Sequence, residues 1–98
     1  NIMVNKDFDV LQRKAEVLRI IAHPVRLSIL RGLLNNGATR VTDMETGKEI
    51  VAASVSQHLA RMNSLGILKK ERKAVEVYYS LVDKENLAEM LRVYLEIK

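Results

Sequence analysis

A change of hydrophobic period inside an otherwise helical sequence is the feature that most restricts the fold. Apolar residues recur at helical spacing over most of the chain, but they alternate in the segment ILKKERKAVEVYYSL, residues 67–81. Alternate positions from Val75 to Leu81 form one buried face of a strand, and LKKER just before them predicts its antiparallel partner. We therefore expect a β-hairpin between the last two helices, with its turn near residues 72–74.

The remainder of the chain predicts five helical segments. Asp7 is the expected N-cap of the first and Asp83 that of the last, while Pro24 suits the first turn of the second. Gly37 and Gly66 fit helix ends. The predicted helices are 8–22, 24–35, a brief one from Thr42 or Asp43, 52–65, and 84–97, with a short edge strand at 39–41.

The fourth helix has a buried stripe and a polar arc. Val55, Leu59 and Met62 stand at i, i+4 and i+7, whereas two serines, a glutamine, a histidine and an arginine project from the rest of the surface. Two helices joined by a short turn and followed by a basic hairpin are the parts of a winged helix-turn-helix. The predicted fold is mainly α with a small β-hairpin, in a single domain over residues 1–98.

The charge is concentrated where that fold would meet a polyanion. The chain carries a net charge of +4, and residues 52–80 hold five basic against two acidic side chains. Double-stranded DNA is the partner that this excess favours, and an ordinary solvated face is the alternative. Neither an apolar run long enough to cross a membrane nor a leader pattern is found, so a cytoplasmic, nucleoid-associated protein is expected.

Several short motifs resemble the ArsR/SmtB family of bacterial transcriptional repressors, over nearly the whole chain. They are Ala22-His23-Pro24 with Arg26 and Ile29-Leu30, then Val55-Ser56-Gln57-His58-Leu59, Leu65-Gly66-Ile67, and Val77-Tyr78-Tyr79-Ser80-Leu81. The resemblance implies a homodimer that binds an imperfect inverted repeat in promoter DNA. The terminal helices are apolar on two sides, which independently predicts a further partner.

The DNA-binding prediction assigns roles residue by residue. Gln57 is the best candidate for reading a base, since its amide both donates and accepts. Ser54 and Ser56 either contact DNA or cap the helix, and His58 either lies near DNA or shields the core edge. The predicted phosphate contacts are Arg61, Lys69, Lys70, Arg72 and Lys73.

The sequence also departs from the family pattern at two places. Ala74 and Val75 occupy the hairpin tip where many members have a glycine and a further arginine, which predicts a shorter or stiffer wing. Ala52 and Ala53 replace polar residues at the start of the recognition helix, so fewer base contacts are expected.

The resemblance implies that the first and last helices form the dimer interface. Which of their two apolar stripes faces the other protomer is left open. The predicted interface residues are Phe8, Leu11, Ala15, Leu18, Leu87, Met90, Leu91 and Tyr94.

The chain has no cysteine, which excludes thiolate ligands, thiol sensing and disulfides. Asp83, Glu85 and Glu96 occupy positions where relatives bind metals, but without histidine they suit only hard cations, and solvated carboxylates are the favoured interpretation. We expect no metal, no cofactor and no enzyme activity, since no catalytic set can be assembled. A protein-interaction module, an RNA-binding module and a hard-cation-responsive regulator are the alternatives; the effector and operator are left open.

Overall fold

The computed structural model describes residues 2–44, 52–82 and 86–97, with side chains described for 7–44, 54–82 and 86–97. It contains four α-helices and three strands in the described part of the chain. They are α1 Ile2–Ile21, α2 Pro24–Asn36, β1 Thr39–Arg40, α3 Ala52–Ser64, β2 Leu68–Lys73, β3 Glu76–Leu81 and α4 Leu87–Tyr94. The predicted class, mainly α with a small hairpin, is confirmed.

The helix starts differ from prediction at α1. Its helix already begins at Ile2, so the prediction of Asp7 as N-cap is wrong. No glycine or proline interrupts residues 2–7, and the helical hydrogen bonds therefore continue through Asp7. At α2 the sequence signals hold: Pro24 occupies the first turn, and the His23 side chain caps the helix by accepting from the Val25 N–H at 3.1 Å.

Within the described residues, neither Thr42 nor Asp43 caps a helix as predicted. Residues 41–43 form one 3-10 turn, which contains Thr42 and Asp43 rather than being capped by either. Residues 45–51 lie outside the described residues, as does Asp83, the predicted N-cap of the last helix. That helix ends at Tyr94, before the predicted Ile97, because the backbone at Glu96 turns to φ 57°.

The three strands form an antiparallel sheet in the order β1, β3, β2. Lys73 pairs with Glu76, so the hairpin turn consists of Ala74 and Val75 alone. The predicted turn lies one to two residues too early, and Val75 is 86% exposed rather than on the buried face. The predicted edge strand is confirmed through pairing of Thr39 with Tyr79.

Aliphatic side chains from every α-helix and from the hairpin build one core. Its fully buried members come from α2, α3, β2 and α4, so the core holds the inner face of α3 against the hairpin. No described helix is long and apolar enough to cross a membrane. The buried residues are Ile20, Ile21, Leu30, Leu33, Val55, Leu59, Met62, Ile67, Leu68, Tyr79 and Leu91.

Candidate nucleic-acid interface

Helix α3 has the two faces that the sequence predicts. Val55, Leu59 and Met62 are 3%, 1% and 0% exposed. Burying a side chain of this size contributes about 1.5–3 kcal/mol, which fixes the rotation of the helix about its own axis. The opposite arc is therefore presented outward.

The α3 residues that were predicted to contact DNA divide by exposure. Ser56, Gln57 and Arg61 are exposed on the outer arc, while Ser54 and His58 are half-buried at its margins. Arg61 lies in the last turn of the helix, and its carbonyl accepts a hydrogen bond from the Ser64 hydroxyl at 2.8 Å. The outer arc thus combines a neutral amide and hydroxyl with one cation, which suits contacts to base edges and phosphates.

His58 is turned toward the protein on one side. Its Nδ1 accepts from Arg26 Nε at 3.0 Å, and its ring centroid lies 4.5 Å from that of His23. Burial lowers the pKa of His58, and the neighbouring charges of His23 and Arg26 lower it further. A neutral imidazole that accepts at Nδ1 carries its proton on Nε2. Sequence reasoning missed Arg26 and His23 as partners of the helix.

The four predicted cations of the hairpin are all exposed on β2, but they do not share one face. Because side chains alternate along a strand, Lys70 and Arg72 lie on the face that carries buried Leu68. Lys69 and Lys73 lie on the opposite face. The hairpin therefore presents two pairs of cations rather than one patch.

The acidic neighbours make these two pairs unequal. On the outer face, Glu71 stands between Lys69 and Lys73, and Glu76 is the cross-strand partner of Lys73. The Lys73 Nζ also lies 5.3 Å from the centroid of the Tyr78 ring. The cross-strand partners of Lys70 and Arg72 are Tyr79 and Val77, neither of which is a carboxylate. The unbalanced positive charge of the hairpin is therefore on the Lys70 and Arg72 face.

Arg40 does not add to this charge. Its Nε and Nη2 donate to the two carboxylate oxygens of Asp43 at 2.6 and 3.0 Å, and Nη1 lies 3.7 Å from Glu76. The hydrogen bond from Arg40 lowers the pKa of the Asp43 carboxyl. This arginine is thus occupied within the protein.

The hairpin tip places Ala74 in a backbone conformation that favours glycine. The residue has φ 58°, in the left-handed region where glycine is at no disadvantage. The strain of an alanine there is about 1 kcal/mol. A glycine at this position would form the same two-residue turn without that strain.

The sequence is similar to those of several known transcriptional regulators. No family model matches the chain. The transcriptional repressor PagR of Bacillus anthracis is 38% identical over 71 residues, which cover 72% of this chain and 71% of PagR. The regulator YgaV of Escherichia coli is 33% identical over 70 residues, 71% of each chain. The repressor SmtB of Mycobacterium tuberculosis is 32% identical over 75 residues, 76% of this chain and 55% of SmtB. The chain belongs to the ArsR/SmtB family.

Solved structures of the family have the same fold. The crystal structure of PagR matches with a TM-score of 0.77 at 31% identity, covering 89% of this chain and 98% of that one. The crystal structure of a predicted DNA-binding transcriptional regulator from E. coli matches with a TM-score of 0.82 at 25% identity, covering 97% of this chain and 99% of that one. The winged helix-turn-helix prediction is confirmed, and the homologues are repressors rather than enzymes.

In this ArsR/SmtB-family chain, the terminal helices expose much apolar surface. On α1, Phe8, Leu11 and Leu18 are 56%, 58% and 51% exposed, and Ala15 is exposed as well. On α4, Met90 is 37% and Tyr94 is 77% exposed. These six predicted interface residues are all accessible in the protomer.

The other two predicted interface residues lie deeper. Leu91 is 1% exposed and belongs to the core of its own protomer, so its assignment to the interface is wrong. Leu87 is half-buried and packs against the same core. Val93, which was not among the predicted interface residues, is 75% exposed.

Of the three acidic residues at the positions where relatives bind metals, only Glu96 lies within the described residues. Glu96 is exposed, whereas Asp83 and Glu85 lie outside the described residues. Within the described ranges, no three His, Cys, Asp or Glu side chains come together as a metal site would require.

Proposed function

We propose that this chain is a homodimeric repressor that binds an inverted-repeat operator in bacterial promoter DNA, within the cytoplasm. The observation that carries the proposal is the outer arc of α3: exposed Ser56, Gln57 and Arg61 stand above a fully buried stripe, in a member of a family of DNA-binding repressors. An arc of this kind fits the major groove, where Gln57 reads a base edge.

The wing adds affinity without sequence preference. Lys70 and Arg72 contribute charge with no acid opposite them, and Lys69 and Lys73 contribute less because of their acidic neighbours. Neutralising phosphates releases counterions, so affinity falls steeply as salt rises. Ser54 and His58 are half-buried at the margin of the arc.

The apolar surface of α1 supports the dimer. Helix α1 has 20 residues, and all seven side chains from residue 7 to residue 13 are exposed in the protomer. An isolated helix is marginal in water, and an exposed row of Phe8, Leu11 and Leu18 is costly. A second copy of the chain that covers this row and the exposed face of α4 stabilises the helix and buries its apolar side chains. It also sets the two recognition helices about 34 Å apart.

The signal that releases DNA is proposed to be neither a thiol reaction nor a transition metal. The whole sequence lacks cysteine. Soft and borderline metals prefer thiolate and imidazole ligands. The sequence has two histidines, and the Nδ1 atoms of His23 and His58 both accept hydrogen bonds from residues of α2.

We also propose that residues 1–98 form a single domain.

The test is selection of preferred duplexes from a random library, followed by affinity measurement on the preferred and a scrambled duplex. Gln57→Ala is expected to cost about 1–3 kcal/mol per half-site on the preferred duplex and much less on the scrambled one. Lys70→Ala is the matched contrast, expected to weaken both duplexes alike. A wild-type chain that enriches no sequence, or equal losses on both duplexes for Gln57→Ala, would contradict the proposal.

A further inference from the structure

At the junction of α1 and α2, the backbone carbonyl of Ile20 lacks its usual helical partner. In a helix the carbonyl of residue i accepts from the N–H of residue i+4, and for Ile20 that residue is Pro24, which has no N–H. The carbonyl instead accepts from Arg26 Nη1 at 2.7 Å. The side chain of Arg26 thus replaces the missing helical donor.

The same guanidinium reaches a second element. Its Nε donates to Nδ1 of His58 at 3.0 Å, across 32 residues of sequence. One planar group therefore joins the end of α1 to the middle of α3. Only arginine offers two donors fixed in this fork, since the single ammonium of lysine is a point charge on a flexible stem.

We propose that Arg26 is a positioning residue for DNA binding, which holds the recognition helix at a fixed orientation to α1 by bridging neutral His58 and the Ile20 carbonyl. The inference rests on the proposed function, in which α1 joins the two protomers. Because the dimer then sets the distance between the two copies of α3, a change at this bridge alters how both helices meet their half-sites.

The bridge requires an unprotonated His58. Protonation would convert the acceptor Nδ1 into a donor and would place a cation against Arg26. The groups that act electrostatically on His58 among the described residues are Arg26 on α2 and His23 at the α1–α2 junction. Neither supplies a negative charge that would stabilise an imidazolium. Acidification is therefore expected to open the bridge.

Two amide substitutions separate positioning from direct DNA contact. The oxygen of an asparagine side chain can occupy the place of Nδ1, so His58→Asn keeps an acceptor for Arg26 and cannot be protonated. The longer glutamine carries its amide near the place of Nε2, so His58→Gln keeps an outward polar group and loses the acceptor. The two variants thus have opposite expected outcomes under the two roles.

The experiment measures affinity for the wild-type-selected duplex by fluorescence anisotropy, with thermal melts to establish that each variant is folded. Arg26→Lys and His58→Gln are each expected to bind about tenfold more weakly, and their double variant no more weakly than either alone. His58→Asn is expected to bind like wild type. Arg31→Lys, an exposed arginine on the same helix, is the matched control and is expected to change nothing.

The pH profile provides the second readout. From about pH 7.5 to about pH 5.5, wild-type affinity is expected to fall relative to that of His58→Asn. If His58 contacted phosphate instead, acidification would strengthen wild-type binding relative to the same variant. In the free protein, the nitrogen NMR spectrum of wild-type His58 should show the Nε2–H form, with Nδ1 shifted in Arg26→Lys.

The outcomes that overturn the inference are distinct from those that overturn the proposed function. A wild-type chain that selects no duplex overturns both. Three results overturn the positioning role alone, provided that the wild-type chain still selects a duplex. Arg26→Lys binds as tightly as wild type, or His58→Gln restores binding where His58→Asn does not, or His58 carries its proton on Nδ1.

Discussion

Replacing Leu11 by alanine tests whether the exposed row of α1 binds a second copy of the chain. Leu11 is 58% exposed in the protomer, so more than half of its burial remains available to an interface. Full burial of a leucine contributes about 1.5–3 kcal/mol, which leaves about 1 kcal/mol per copy. A symmetric dimer contains the residue twice, and the loss of about 2 kcal/mol raises the dimer Kd about 30-fold.

Sedimentation velocity over a range of protein concentrations measures that Kd. Alanine favours a helix at least as well as leucine, so the protomer itself should melt as before. Val75→Ala is the matched control, because Val75 is 86% exposed on the hairpin turn. This substitution removes exposed apolar surface at a site away from α1. An unchanged Kd for Leu11→Ala, or an equal shift for Val75→Ala, would refute the reasoning.

Three further predictions concern the protomer, each measured by urea unfolding at fixed protein concentration. Leu59→Ala, at 1% exposure, should lower the free energy of unfolding by about 3 kcal/mol through lost burial and a cavity, and a loss below about 1 kcal/mol would contradict the core assignment. Ala74→Gly should raise it by up to about 1 kcal/mol, because φ 58° is strained for alanine, and a clear destabilisation would show that the turn is otherwise built. Since the pKa of His58 is lowered on folding, its neutral form contributes stability that is fully present above the unfolded value of 6.5 and lost as the pH falls through the folded value. On acidification the wild-type midpoint should therefore fall further than that of His58→Asn, and equal falls would contradict the shift.

The elements that the sequence predicted best are those whose signal is local. The stripe of Val55, Leu59 and Met62 and the alternation along β3 are both set by which side chains need burial, so they could be read from spacing alone. The four cationic residues of the hairpin that the sequence singled out are exposed in the structure. Their cross-strand neighbours, among them Glu76 opposite Lys73, follow from the register, which a turn without glycine did not reveal.

The errors arise where the local signal for a helix start is weak or where tertiary contacts decide between local alternatives. Asp7 is of a residue type that favours the N-cap position, but no residue before it stops the helix. The last helix has two apolar stripes, and only packing against the core shows that Leu91 belongs inside while Val93 points outward. The bridge from Arg26 to His58 joins residues 32 apart, so no periodicity could have predicted it.

Hydroxyl-radical footprinting of the selected duplex at low salt tests the central claim most directly. If two copies of the chain place the helix that carries Gln57 in successive major grooves, protection should appear as two symmetric tracts whose centres are about 34 Å, or one helical turn, apart. A single protected tract, or none at protein concentrations that saturate binding, would contradict the account.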